Sequence, residues 1–154
     1  MLHTVANFSA KDLGEQISKL FYLAQIYSDF MISVGKPTNG IRPLQIAAAR
    51  LMTSEEQINP IHREYAKLCL KAKCYSHSLE LIKFPVTDFH PRCKAMDIIV
   101  YCYYRGMLFT GLQMYEEAIE SFTLVLSLPT NIAHKVHQES FKKLILLSLI
   151  EKKQ

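Results

Sequence analysis

Residues 106–122 read GMLFTGLQMYEEAIESF, in which a small residue and an aromatic ring stand on each side of a short break. Gly106 and Phe109 precede the break, and Ala118 and Phe122 follow it, each pair about one helical turn apart. This is the pattern of a tetratricopeptide-type (TPR) helical hairpin, in which small residues lie where two antiparallel helices touch and rings fill the gap between them. The stretch therefore predicts two packed antiparallel helices.

A weaker copy of this pattern lies 40 positions earlier in the chain. Tyr75 stands at the place that corresponds to Tyr115, and four further residues occupy the places of the small and aromatic residues: Ala66, Cys69, Ser78 and Ile82. Because the internal spacing is preserved, the sequence predicts an array of helical repeats rather than one isolated hairpin. Arrays of this kind bind proteins far more often than they catalyse reactions.

Apolar residues recur at helical spacing along most of the chain, and no segment has the alternation of a β-strand. We therefore predict an all-α fold, a right-handed TPR-like helical-repeat array (an α–α superhelix) of about seven helices in three hairpins. The expected helices cover about residues 9–34, 43–52, 60–72, 76–83, 93–112, 115–128 and 132–150.

Two helix starts rest on specific residues. Ser9 is the expected cap of the first helix, which carries one apolar stripe from Leu13 to Val34 and contains Gly14, a residue that costs about 1 kcal/mol there. The segment 38–40 predicts a turn, after which Pro43 is expected to open the second helix.

The composition of the 154-residue chain narrows the classes of partner that it can bind. Hydrophobic residues make up 49% and charged residues 21%, which fits either a well-filled core or an apolar surface that meets a partner. The net charge of +4 forms no dense basic stripe with stacking aromatics, so we predict no nucleic-acid binding. The longest apolar run, 98–104, is far short of the ~20 residues that span a bilayer, and no signal peptide is visible. We expect no membrane association and a cytoplasmic and nuclear location.

The last helix leaves little polar surface, whereas a terminal repeat normally has a polar outer face. Its apolar residues are Phe141, Leu144, Ile145, Leu146, Leu147, Leu149 and Ile150. We therefore expect residues 1–154 to be one helical-repeat domain that forms part of a longer array.

A metal site is the alternative from a different functional class. Cys69 and Cys74 are separated by four residues and flanked by His62 and His77, but no second ligand pair follows at a spacing that zinc sites use. The pair at 134 and 137 lacks the glutamate of the metalloprotease motif. Since Cys69 also falls on a repeat position, we interpret it as a buried structural thiol and predict no metal, cofactor or catalytic site.

A longer ordered set of residues resembles the third-subunit family of the COP-nine signalosome. In chain order these residues are Ile61, His62, Leu68, Cys69, Leu70, Ala72, Lys73, Cys74, Cys102, Tyr103, Tyr104, Gly106, Met107, Thr110, Gly111, Leu112, Glu117, Ala118, Pro129, Glu139, Lys142, Lys143, Ile145, Leu146, Ser148, Leu149 and Ile150. The resemblance covers about residues 17–150, is strongest from residue 60 onward, and implies the helical-repeat arm of that subunit.

The resemblance implies a non-enzymatic scaffold in a hetero-oligomer that removes the ubiquitin-like modifier Nedd from cullin-RING ubiquitin ligases. The zinc metalloprotease of that complex resides in a different subunit, and the family neighbours are subunits one and eight. A winged-helix PCI module that the family uses for assembly is absent from residues 1–154. A free-standing TPR-like adaptor and a subunit related to the proteasome lid are the remaining alternatives.

Overall fold

Seven α-helices, joined by short turns and longer linkers, form the part of the chain that the computed structural model describes, residues 10–52, 54, 56–129 and 134–151. The elements in chain order are α1 (Ala10–Ser33), α2 (Pro37–Arg50), β1 (Gln57–Ile58), α3 (Pro60–Ala72), α4 (Tyr75–Ile82), β2 (Asp88–Phe89), α5 (Ala95–Gly111), α6 (Tyr115–Ser127) and α7 (His134–Glu151). The predicted cap Ser9 lies outside the described residues.

Three hairpins, α1–α2, α3–α4 and α5–α6, turn in the same way. Each turn has one residue in the left-handed region: Gly35 (φ 73°), Lys73 (φ 56°) and Gln113 (φ 62°), spaced by 38 and then 40 residues. In the third turn the amide of Gln113 donates to the Thr110 carbonyl (3.1 Å), and the amide of Met114 donates to the Phe109 carbonyl (3.0 Å). The other two turns contain the same pair of bonds, which is the Schellman geometry that ends a helix.

The hairpins stack in chain order, so that α1 contacts α2 and α3, α3 contacts α5, and α7 contacts α5 and α6. The core runs through this stack, and its largest fully buried side chains include Tyr65, Tyr101, Phe109 and Phe122. The prediction of an all-α helical-repeat array is confirmed.

The start of α2 differs from the sequence-based prediction. Residues 38–40 are helical rather than a turn, and Pro43 lies inside the helix instead of opening it. Pro37 occupies the first turn, where its fixed φ suits a helix start. Gly40 is buried where a Cβ would lie 2.6 Å from Leu68 Cδ1, so close packing against α3 explains a glycine that the sequence reading assigned to a turn.

The prediction that the chain contains no strand was also wrong. β1 and β2 form a parallel pair of two residues each, with Gln57 opposite Asp88 and Ile58 opposite Phe89. The amide of His90 continues the pair by donating to the Ile58 carbonyl (2.8 Å). This pair joins the α2–α3 linker to the α4–α5 linker, and segments of two residues are too short to show a β-period in the sequence.

Candidate interaction surfaces

The seam between α5 and α6 contains the four residues from which the hairpin was predicted. Gly106 faces the ring of Phe122, and a Cβ at Gly106 would lie 2.8 Å from two of the ring carbons. Phe109 and Ala118 are fully buried in the same core. The close approach therefore depends on a residue without a side chain at position 106.

The corresponding residues of the α3–α4 hairpin are also inside the core. Ala66, Cys69, Ser78 and Ile82 have no exposed surface. Gly111, the last residue of α5, faces the ring of Tyr75, which lies 2.8 Å from where a Cβ would stand. The second and third hairpins therefore touch through a glycine and a tyrosine.

The candidate metal ligands have structural contacts. His62 is buried at the start of α3, where its Nδ1 accepts from the Asn59 amide (3.1 Å), and burial lowers the pKa of His62 to about 4. Burial raises the pKa of the Cys69 thiol to about 12. Cys74 Sγ lies 3.6 Å from the Ala72 carbonyl, and the side chain of His77 is exposed. Across the described residues, no three His, Cys, Asp or Glu side chains are grouped so as to hold a metal ion.

Arg105 is a buried cation that the sequence reading missed. Its Nε donates to the Ile82 carbonyl (3.0 Å), and its Nη1 donates to Ser121 Oγ (2.9 Å). The guanidinium also lies over the Phe109 ring, 4.8 Å from its centre. These contacts link the end of α4 to α5 and α6, and a positive charge is favoured at a helix C-terminus.

Ion pairs connect the first helices of the three hairpins. Lys67 of α3 reaches Asp29 of α1 (2.5 Å), and Arg63 of α3 reaches Asp97 of α5 (2.5 Å). Glu64, which is almost fully buried, lies between the two cations. Burial disfavours the charge of Lys67, but its bonds to Asp29 and Glu64 raise its pKa. This network aligns neighbouring hairpins on one face of the stack.

Apolar side chains are exposed on α1, the first helix of the stack. We call the set at positions i, i+3, i+7 and i+11 the α1 stripe: Leu23 (58% exposed), Ile26 (47%), Phe30 (57%) and Val34 (49%). The predicted stripe from Leu13 to Val34 lies on the packed side at Ala24, Tyr27 and Met31, but Val34, which directly follows α1, is exposed. The helix is therefore apolar on two sides, and the sequence predicts only the packed one.

A second exposed set lies on α7, the last helix of the stack. The α7 stripe consists of Phe141 (54% exposed), Ile145 (45%) and Leu149 (55%), flanked by Leu146 (61%) and Ile150 (42%). Contiguous exposed apolar surface of this kind marks sites of protein contact. The two stripes are the candidate interaction surfaces of the chain.

The described helices show no membrane-spanning candidate, since none of them combines sufficient length with sufficient apolar character.

Comparison with known proteins agrees with this architecture. The family described as "COP9 signalosome complex subunit 3, N-terminal helical repeats" matches residues 2–154. Curated relatives named COP9 signalosome complex subunit 3 include proteins of Dictyostelium discoideum (30% identical over 87% of this chain and 33% of the relative) and Arabidopsis thaliana (31% over 88% and 31%). A third, from Drosophila melanogaster, is 24% identical over 97% of this chain and 39% of the relative.

The chain thus spans about a third of the length of the curated relatives that it matches. The match includes all seven described helices and the turns of the three hairpins. The chain therefore belongs to the family of COP9 signalosome complex subunit 3, in its N-terminal helical-repeat region.

Proposed function

We propose that this chain is a non-catalytic protein–protein scaffold within the signalosome, the complex that removes Nedd from cullin-RING ubiquitin ligases. The observation that carries the proposal is the pair of exposed apolar stripes on the first and last helices of the stack. A stack with such a surface at each end is suited to hold other helical elements in a fixed arrangement.

The repeat spacing indicates that the partner element packed against the α7 stripe is a helix. Tyr101 and Leu108 of α5 are buried, and so are Ser140 and Leu147, which stand 39 residues later in α7. At the same offset, Ile145 corresponds to Gly106, the residue of α5 that touches α6. The α7 stripe therefore lies on the side of α7 that is equivalent to the side of α5 against which α6 packs.

The expected neighbours are signalosome subunits one and eight, and the expected location is both cytoplasmic and nuclear. Family membership supports these proposals. Tagging the protein at its own locus and following it by fractionation checks the location, since a protein confined to a membrane or secreted fraction would contradict it.

The modification state of cullins tests the scaffold proposal. Depletion of the protein should raise the fraction of cullin that carries Nedd, because the protease subunit then loses its assembly partner. Re-expression of the wild-type protein should restore the original fraction. An unchanged cullin pattern after complete depletion would contradict the proposal.

A matched pair of variants separates the α1 stripe from general damage. Phe30→Glu places a charge in the stripe, whereas Gln16→Glu places the same charge on an exposed polar position of the same helix. We expect Phe30→Glu to restore cullin processing poorly and Gln16→Glu to restore it fully. Equal rescue by both variants would exclude the α1 stripe as the contact surface.

A further inference from the structure

A groove of about 400 Å³ lies between the middle of α1, the first turn of α3, and the first turn of α5 with the linker that precedes it. The side chains of Phe21 and Tyr22 line it from α1, and Arg63 lines it from α3. Met96 lines it from α5. The groove is separate from the hairpin seams and from the two apolar stripes, so it is a further surface of the stack.

Positive charge exceeds negative charge in this groove. Its lining includes three cations, Arg63, Arg92 and Lys94, and one carboxylate, Asp97. That carboxylate accepts from Arg63 Nη1 (2.5 Å) and from the Lys94 amide (3.1 Å). Among the described residues, the side chains of Arg92 and Lys94 have no carboxylate partner. The groove is therefore complementary to an anionic ligand.

The guanidinium of Arg92 is held in place by α1. Its Nη1 donates to Ser18 Oγ (2.7 Å), and a Cβ at Gly14, one turn earlier, would lie 1.9 Å from its Nη2. A glycine inside a helix is destabilising, but here it provides the space that the guanidinium occupies. A cation that is already positioned loses less conformational freedom when a ligand binds.

The rest of the groove is apolar and accessible. Tyr22 is 64% exposed and Met96 is 38% exposed. Phe21 is half-buried, with its ring edge-on to the ring of His90 at a centre-to-centre distance of 5.5 Å. Aromatic and methionine side chains are enriched at protein interfaces. An occupant that matches both parts of the groove needs apolar as well as anionic groups.

We propose that this groove binds an acidic segment of a partner protein. Carboxylates of the segment contact Arg92 and Lys94, and one of its apolar or aromatic side chains rests on Tyr22 and Met96. Free phosphate satisfies only the cations, whereas a peptide that contains both residue types satisfies the whole groove. The site does not depend on the proposed signalosome role, because peptide binding and cullin processing are measured separately.

The test uses the protein at its natural length and a fluorescent peptide in which glutamate alternates with leucine and phenylalanine. Fluorescence anisotropy measures its dissociation constant beside that of a peptide with glutamine in place of glutamate. We expect the acidic peptide to bind about tenfold more tightly at low salt and to lose this advantage at high salt. Equal affinity for the two peptides would overturn the proposal.

Two matched pairs of variants locate the site. Arg92→Glu should weaken binding of the acidic peptide about tenfold or more, whereas Lys36→Glu, an equal charge change at the N-cap of α2, should leave the affinity unchanged. Tyr22→Ser should weaken binding, whereas Phe30→Ser, on the same helix but outside the groove, should not. All four side chains are exposed, and circular dichroism checks that each variant is folded.

An equal loss of peptide affinity in both members of either pair of variants would contradict the assignment of the site. Binding of phosphatidylserine vesicles without binding of the peptide would assign the groove to a membrane surface and would also overturn the proposal. Displacement of the bound peptide by inorganic phosphate alone would show that the apolar half contributes nothing, and would contradict the two-part recognition proposed here.

Discussion

Gly106 illustrates how a single residue sets the distance between two helices. A hydrogen is the largest group that fits between the α5 backbone and the Phe122 ring, because a Cβ would already lie within 2.8 Å of it. The sequence predicted this contact, since a small residue and a ring recur at the spacing of a hairpin. Because the packing leaves no cavity, a larger side chain at position 106 must displace the side chains around it.

The substitution Gly106→Leu tests the seam. We expect it to lower the free energy of unfolding by roughly 3 kcal/mol, because the new side chain overlaps the Phe122 ring. Chemical denaturation measures the change. Gly111→Leu is the matched control: its Cβ meets the Tyr75 ring at the same distance, but Tyr75 is only partly buried and can move, so the cost should be smaller.

A double variant decides whether the ring is the cause. Gly106→Leu combined with Phe122→Ala should cost less than the sum of the two single substitutions by at least about 1 kcal/mol, because the second removes the ring that the first displaces. If the losses of unfolding free energy are simply additive, residues 106 and 122 are not in contact, and the proposed packing between α5 and α6 is wrong.

The buried histidine His62 gives the second residue-scale prediction. Burial lowers its pKa from 6.5 to about 4, so the unfolded chain takes up a proton at a higher pH than the folded chain does. Stability is therefore complete above pH 6.5 and decreases as the pH falls toward 4, by about 2 kcal/mol at pH 5. Thermal melting at several pH values measures this loss.

The matched variants are His62→Gln and His77→Gln. Glutamine at position 62 can keep the bond to the Asn59 amide, as in a capping box, but it does not titrate. We expect His62→Gln to reduce the loss of stability between pH 6.5 and 5, and His77→Gln, on the exposed side of α4, to keep it. An unchanged pH profile in His62→Gln would show that another group is responsible.

Arg105 shows the limit of sequence reading at this scale. The sequence does not distinguish an exposed arginine from a buried one within an apolar helix. The carbonyls that Arg105 contacts, those of Ile82 and Phe84, also lie outside its own hairpin. Forty residues earlier, Tyr65 occupies the same repeat position and also donates to a carbonyl, that of His77 (2.7 Å). Tyr65 bonds within its own hairpin whereas Arg105 bonds to the preceding one, and only the arrangement of the helices reveals either contact.

At the scale of elements, the turns reveal the repeat more clearly than the side chains do. Lys73 and Gln113 both adopt positive φ, although the side chains differ and neither is glycine. Sequence reading found the breaks between α3 and α4 and between α5 and α6, but it placed the start of α2 six residues late. Gly40 looks like a turn residue in the sequence, and only its contact with Leu68 explains it as a helix residue.

The left-handed turn residue provides the element-scale prediction. Gln113→Gly should raise the free energy of unfolding by about 1 kcal/mol, because glycine adopts φ 62° without the steric cost of a Cβ. Gln138→Gly, the same substitution at an exposed position inside α7, should lower it by about 1 kcal/mol. Destabilisation by both variants in denaturant titrations would contradict the Schellman geometry of the turn.

At the scale of the whole molecule, two apolar stripes lie on opposite ends of one stack. The sequence indicated an unusually apolar last helix, but it could not indicate which side of α1 or α7 is exposed, because both helices are apolar on more than one side. That distinction depends on which hairpins flank each helix. In the proposed scaffold role, these two ends are the surfaces that other helical elements would continue or join.

Affinity purification of the protein, tagged at its own locus and expressed at its natural length, tests the scaffold role most directly. Mass spectrometry of the recovered complex should identify the other signalosome subunits in amounts comparable to the tagged protein, with a tag-only strain as the control. Recovery of the protein alone, or with companions unrelated to the signalosome, would contradict the account.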